Sequence, residues 1–136
     1  MRIAILLPFL VSACAGQSSN PAESAEEFGA RLQNHRAPSL TEVEPLERAL
    51  EKMACIGKLD RWKRSYAFSI PARTVDETHI DFELKRAGRA GVEPGIERTF
   101  PGAFLGNDDT PTKMAAGRFD RRTGQIALDY CGENLG

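Results

Sequence analysis

The residues whose types and spacing come nearest to acid–base chemistry are His79 and Asp81. Two apart on a strand, they share a face, and a carboxylate beside an imidazole can set its tautomer and orientation. The same stretch also has a plainer reading. His79, Asp81, Glu83 and Lys85 alternate with Ile80, Phe82 and Leu84, as on a half-buried strand with one solvated face, and we adopt that reading. The other histidine, His35, stands alone. No set of His, Cys and carboxylates has metal-ligand spacing, so neither a metal nor a cofactor is expected. Asn107-Asp108-Asp109 lacks the remaining ligands of a calcium loop and reads as a turn. The chain has no Gly-x-Ser-x-Gly, no Ser-x-x-Lys and no phosphate loop, and Arg122-Thr123-Gly124 is hairpin chemistry. The expectation is a domain that binds and does not catalyse.

Charge is distributed unevenly. Overall the chain carries 18 basic and 19 acidic residues, which gives no bulk attraction to nucleic acid. Between residues 54 and 74, however, Lys58, Arg61, Lys63, Arg64 and Arg73 face only Asp60, with Trp62 among them. This segment reads first as a strand edge guarded by cations against pairing with another chain. Its alternative is a contact patch for anionic headgroups or an acidic partner, centred on Lys58, Arg61, Trp62, Lys63 and Arg64.

The N-terminus carries an address. Met1-Arg2 is a minimal positive region, and residues 3–11 form an uncharged apolar run. That run is shorter than the roughly 20 residues a membrane span requires and has the length of a signal-peptide core. Small residues Ser12 and Ala13 follow, and then Cys14. Val11-Ser12-Ala13-Cys14 resembles the lipobox of bacterial lipoproteins. The resemblance implies a signal peptide over 1–13, lipidation of Cys14 and anchoring in a membrane, since more than one acyl chain is needed for stable attachment. Ala15, where an Asp retains many such proteins at the inner membrane, implies the periplasmic face of the outer membrane. Val11-Ser12-Ala13 or Ala13-Cys14-Ala15 could instead serve an ordinary signal peptidase and release a soluble periplasmic or secreted protein; a buried N-terminal strand is the third reading.

Residues 14–23 are small and polar and read as a flexible tether. With Cys14 assigned to lipid, Cys55 and Cys131 remain as an even pair in an oxidising compartment, where a disulfide is the expected state and free structural thiols the alternative.

The elements that must position these groups follow from periodicity, and place one α+β domain over 24–136. Ser24 caps a short helix with Glu27 at its third position, running to about Asn34. Leu46, Ala49, Leu50 and Met53 share a helical stripe, and with Pro45 at the first helical position and Gly57 past the end they predict a helix over 45–56. Cys55 would then point away from that stripe. After Gly57 the period changes to two. Trp62, Arg64, Tyr66, Phe68 and Ile70 predict one strand and residues 79–85 a second. Residues 96–100 predict a short third. The segments 113–119 and 125–130 predict a hairpin around Asp120 and Gly124, with Ile126, Leu128 and Tyr130 buried. The fold class is α+β, two helices followed by a four- to five-stranded, mostly antiparallel sheet with a helix on one face.

On this reading the protein is an envelope accessory or interaction module that holds a protein or the cell wall. The alternative is an inhibitor or ligand-binding module that inserts the loop Pro101–Pro111, with Phe104 and Leu105 as anchors.

Overall fold

A computed structural model describes residues 22–88, 91–104 and 113–132. Cys14, Leu105, Asn107-Asp108-Asp109 and the proposed signal peptide lie outside the described residues.

Helix α1 (Ala25–Gln33) starts where expected, the Ser24 hydroxyl accepting the Glu27 N–H at 3.1 Å. Helix α2 spans Leu40–Glu51, five residues earlier than the stripe predicts. Its cap is Ser39: the Ser39 hydroxyl accepts from the Glu42 N–H (3.1 Å) and the Glu42 carboxylate accepts from the Ser39 N–H (2.9 Å). A reciprocal box satisfies two orphan donors and outweighs the preference of Pro45 for the first turn. Pro45 lies inside the helix on its exposed side, where water can take the carbonyl that its missing N–H leaves. Arg36, hydrogen-bonded to Glu42 at 2.6 Å, holds that carboxyl near pKa 2.

Five strands form one sheet in the order β3-β1-β2-β4-β5: β1 Trp62–Ser69, β2 Asp76–Arg86, β3 Gly95–Arg98, β4 Lys113–Asp120 and β5 Ile126–Cys131. All neighbours are antiparallel except β1 and β3, which run parallel. This is the α+β arrangement the periodicities predict. Helix α2 buries Val43, Leu46 and Leu50 in one cluster with Tyr66, Phe68, Ile80, Phe82, Leu84 and Phe119 of the sheet.

Strand β5 departs from the expected pattern. Of the predicted inward set Ile126, Leu128 and Tyr130, only Ile126 packs against the core; Leu128 and Tyr130 are 38 % and 39 % exposed. Leu128 pairs with Gly117 but Tyr130 pairs with Ala116, so Asp129 is an extra residue in the strand. A bulge of this kind reverses the alternation beyond it. Tyr130 thereby moves to the far face, and Cys131, opposite Ala115, moves to the core face.

Gly117 sits where three strands crowd. A Cβ there would press on the Ala127 carbonyl oxygen and lie 2.9 Å from Phe82 Cζ. Since backbone cannot step aside as a flexible side chain can, Gly117→Ala is expected to lower stability by about 1–3 kcal/mol. Chemical denaturation measures it; a change below about 0.5 kcal/mol would mean that β5 is free to shift.

Candidate functional site

The sheet face away from α2 holds Lys63 and Ser69 of β1, Asp81, Glu83 and Lys85 of β2 and Arg118 of β4. Two of them are buried: Ser69 is fully buried and Glu83 is 3 % exposed. Ser69 Oγ donates to Asp81 Oδ1 at 2.5 Å, and Arg118 Nε donates to the same oxygen at 2.7 Å. Lys85 Nζ lies 3.5 Å from Glu83. Thr99 extends the β3 pairing, its N–H donating to the Tyr66 carbonyl at 2.9 Å, and the chain turns through residues 101–104. It buries Pro101 and carries Phe104 onto this face. Phe104, Asp81, Glu83, Arg118, Ala127 and Asp129 border a cleft of about 410 Å³. Phe104 is half-buried and forms one wall of the cleft, while Leu105 and the rest of the loop to Pro111 lie outside the described residues.

His79 is not oriented by Asp81. Its Nδ1 lies 2.8 Å from Asp76 Oδ2 and its Nε2 3.4 Å from Asp120 Oδ2. With a carboxylate at each nitrogen, the ring clasps the start of β2 to the end of β4. Asp120 is itself drawn to about pKa 2, because Arg122 donates to it from both its side chain and its backbone.

The cationic segment is dispersed by the fold. Lys58 and Arg61 are exposed around a 3₁₀ turn, Leu59–Arg61. Trp62 is 2 % exposed, its Nε1 donating to the Ile56 carbonyl at 3.0 Å, so it is core and not a surface aromatic. Arg64 projects to the helix side: Nη1 donates to the Leu59 carbonyl at 2.9 Å and Nε lies 3.2 Å from Glu47 Oε1. Lys63 points to the other face and pairs with Glu97 at 3.0 Å. Alternation along β1 separates side chains that adjoin in sequence, and no single patch of Lys58, Arg61, Trp62, Lys63 and Arg64 exists.

Compared with known proteins, the chain matches no family model, no curated protein and no solved structure. Function must therefore be argued from its own surfaces.

Cys55 and Cys131 lie at disulfide distance, their Cα atoms 6.1 Å apart. The difficulty that a helix through residue 55 would raise does not arise, because α2 ends at Glu51 and turns through Ala54–Ile56 release Cys55 toward β5. Among the described residues no group of three or more His, Cys, Asp or Glu could hold a metal ion, and no helix is long and apolar enough to cross a membrane.

Periodicity did not reveal the exposed apolar residues. Among the described residues these are Leu40 (56 % exposed), Ile96 (40 %), Tyr130 (39 %) and Leu128 (38 %). Leu128 and Tyr130 are on edge strand β5 and Ile96 is on edge strand β3, while Leu40 borders a groove with Ile96. The sequence signal existed for each as an apolar letter, but only strand order shows that Ile96, Leu128 and Tyr130 lie on the two edge strands of the sheet among the described residues.

Proposed function

We propose that this chain is a lipid-anchored lipoprotein of the bacterial envelope, held through Cys14 at the periplasmic face of the outer membrane, whose domain binds another protein and is not an enzyme. The observation that carries the binding reading is the placement of Ile96, Leu128 and Tyr130, all exposed, on the two strands that are the edges of the sheet among the described residues. An unpaired edge offers backbone donors and acceptors in register, and apolar side chains beside it add the pocket that strand-addition partners use. The anchoring reading rests on Val11-Ser12-Ala13-Cys14 and the tether behind it.

Two measurements test this. Wild type grown with labelled fatty acid should carry the label and sediment with membranes, whereas Cys14→Ala should lose both properties. A photo-crosslinking residue at position 96 or 128 in intact cells should give a discrete adduct with one envelope protein. Membrane sedimentation of Cys14→Ala with no label on the wild type would sink the anchor, and absence of adducts from both edges would sink the binding role.

A further inference from the structure

We propose that α1 is a releasable strap. Docked, it holds the chain against the turn between β1 and β2. Released, it unwinds and lengthens the tether to Cys14 while the sheet and α2 stay folded. Release itself is a property of the fold; its effect on the tether rests on the anchoring reading.

The residues of α1 give it little to hold on with. Its one buried residue, Leu32, lies outside the cluster that joins α2 to the sheet. Its nine residues are fewer than the roughly 12–15 at which an isolated helix becomes marginally stable in water. Gly29 weakens it further, since glycine in a helix interior loses more backbone entropy than alanine. Neither packing nor backbone geometry calls for that glycine: an added Cβ would meet nothing within 4 Å, and its φ is not positive. Docking is therefore what keeps α1 helical.

The docking contacts converge on Arg73, an exposed residue of the β1–β2 turn. Its guanidinium lies 4.4 Å from the centre of the Phe28 ring, and its Nη2 donates to the Glu23 carbonyl at 3.4 Å. Its own carbonyl accepts from Arg31 Nη2 at 2.7 Å. Cation–ring contacts at exposed sites are weak. Arg73 also has a φ of 59°, a left-handed conformation that costs a residue with a side chain, and release lets it relax. The ion pair of Arg31 with Glu23, at 2.8 Å, joins two residues of the strap and does not hold it to the domain.

Release has a fixed end. His35 and Arg36 both pack on Phe68, at 6.0 Å and 4.7 Å from its ring centre. Arg36 also pairs with Glu42 and Glu77, and Pro38 is fully buried. The chain turns at Asn34, between the weakly held helix and this rivet, so the hinge is there. Extended, residues 23–34 add up to about 40 Å of reach.

Amide hydrogen exchange, followed by NMR on the full chain in detergent, tests the strap. The amides of Phe28–Asn34 should open at least about a hundredfold more often than those of Leu46–Leu50 in α2. Their opening should depend little on urea, since little surface is exposed by it. Arg73→Asn accepts left-handed backbone but lacks the guanidinium, and should raise α1 opening about threefold. Gly29→Ala should lower it about three- to fivefold. Neither variant should alter opening of α2. Amides of α1 that open as rarely as those of α2, or only with the urea dependence of global unfolding, would overturn the strap. So would variants that leave α1 opening unchanged or shift α1 and α2 together. If the strap opens as stated but wild type takes up no labelled fatty acid, the strap stands and its effect on the tether falls with the anchoring reading. If wild type is labelled but α1 opens only with the core, the anchor stands and the strap falls.

Discussion

Replacing Cys131 with alanine is expected to lower the stability of the oxidised domain by about 4 kcal/mol, a large part of the total for a chain this size. The two cysteines are 76 residues apart, and closing so long a loop removes much entropy from the unfolded chain. The native state adds a local reason. Along β5 only Ile126 and Cys131 pack against the core, and the four residues between them are exposed. The strand is therefore held by its ladder to β4, by the hairpin at one end and by the sulfur bridge at the other. Without the bridge its last residues should fray first. Urea unfolding of wild type, Cys131→Ala, Cys55→Ala and the double variant measures the loss. The three variants should lose nearly equal amounts, since each deletes the same bond. Hydrogen exchange should show the amides of Ile126–Cys131 opening well below the global free energy in all three. A loss under about 1 kcal/mol, or additive losses in the double variant, would show that the pair does not act as a crosslink.

Glu47→Leu is expected to cost about 3 kcal/mol, more than an ordinary helix-surface change. Glu47 Oε1 accepts from the Tyr66 hydroxyl at 2.8 Å and lies 3.2 Å from Arg64 Nε. The Arg64 side chain is 14 % exposed and Tyr66 fully buried. Burial and the Glu47 charge both push the Tyr66 hydroxyl far above its usual pKa, so it remains a neutral donor. Removing the carboxylate leaves a desolvated hydroxyl and a largely buried guanidinium with only the Leu59 carbonyl. Both are costly to strand. Adding Arg64→Met to Glu47→Leu should recover most of the loss, because an apolar pair no longer carries an uncompensated charge. Thermal or urea unfolding of the single and double variants decides it. If Glu47→Leu is as stable as wild type, α2 is not fixed to β1 through this carboxylate.

The paired behaviour of Arg64 shows why the cationic segment could not be interpreted locally. Trp62, Lys63 and Arg64 are neighbours in the chain, yet the first enters the core, the second faces the far side and the third meets a helix residue seventeen positions earlier. Strand alternation predicts that Lys63 parts from its neighbours. It does not say which helix supplies a carboxylate to Arg64. His79 is similar: its place on a polar strand face was legible, but its partners Asp76 and Asp120 come from different strands.

What the amino-acid order determines by itself is whatever depends on residues a few positions apart. Ser24 with Glu27 starts α1, the period-two runs place β1 and β2, and Asp120 with Gly124 marks the last turn. Each of these rests on hydrogen bonds or side-chain spacing within about one turn of chain. Tertiary structure decided the rest. The extra residue at Asp129 has meaning only against β4, and it is this bulge that exposes Tyr130 and turns Cys131 toward Cys55. The parallel pairing of β3 makes an edge of Ile96 and sets it beside Leu40. Whether an apolar residue is core or open surface is settled by which neighbour covers it, and that neighbour is dozens of residues away in the chain.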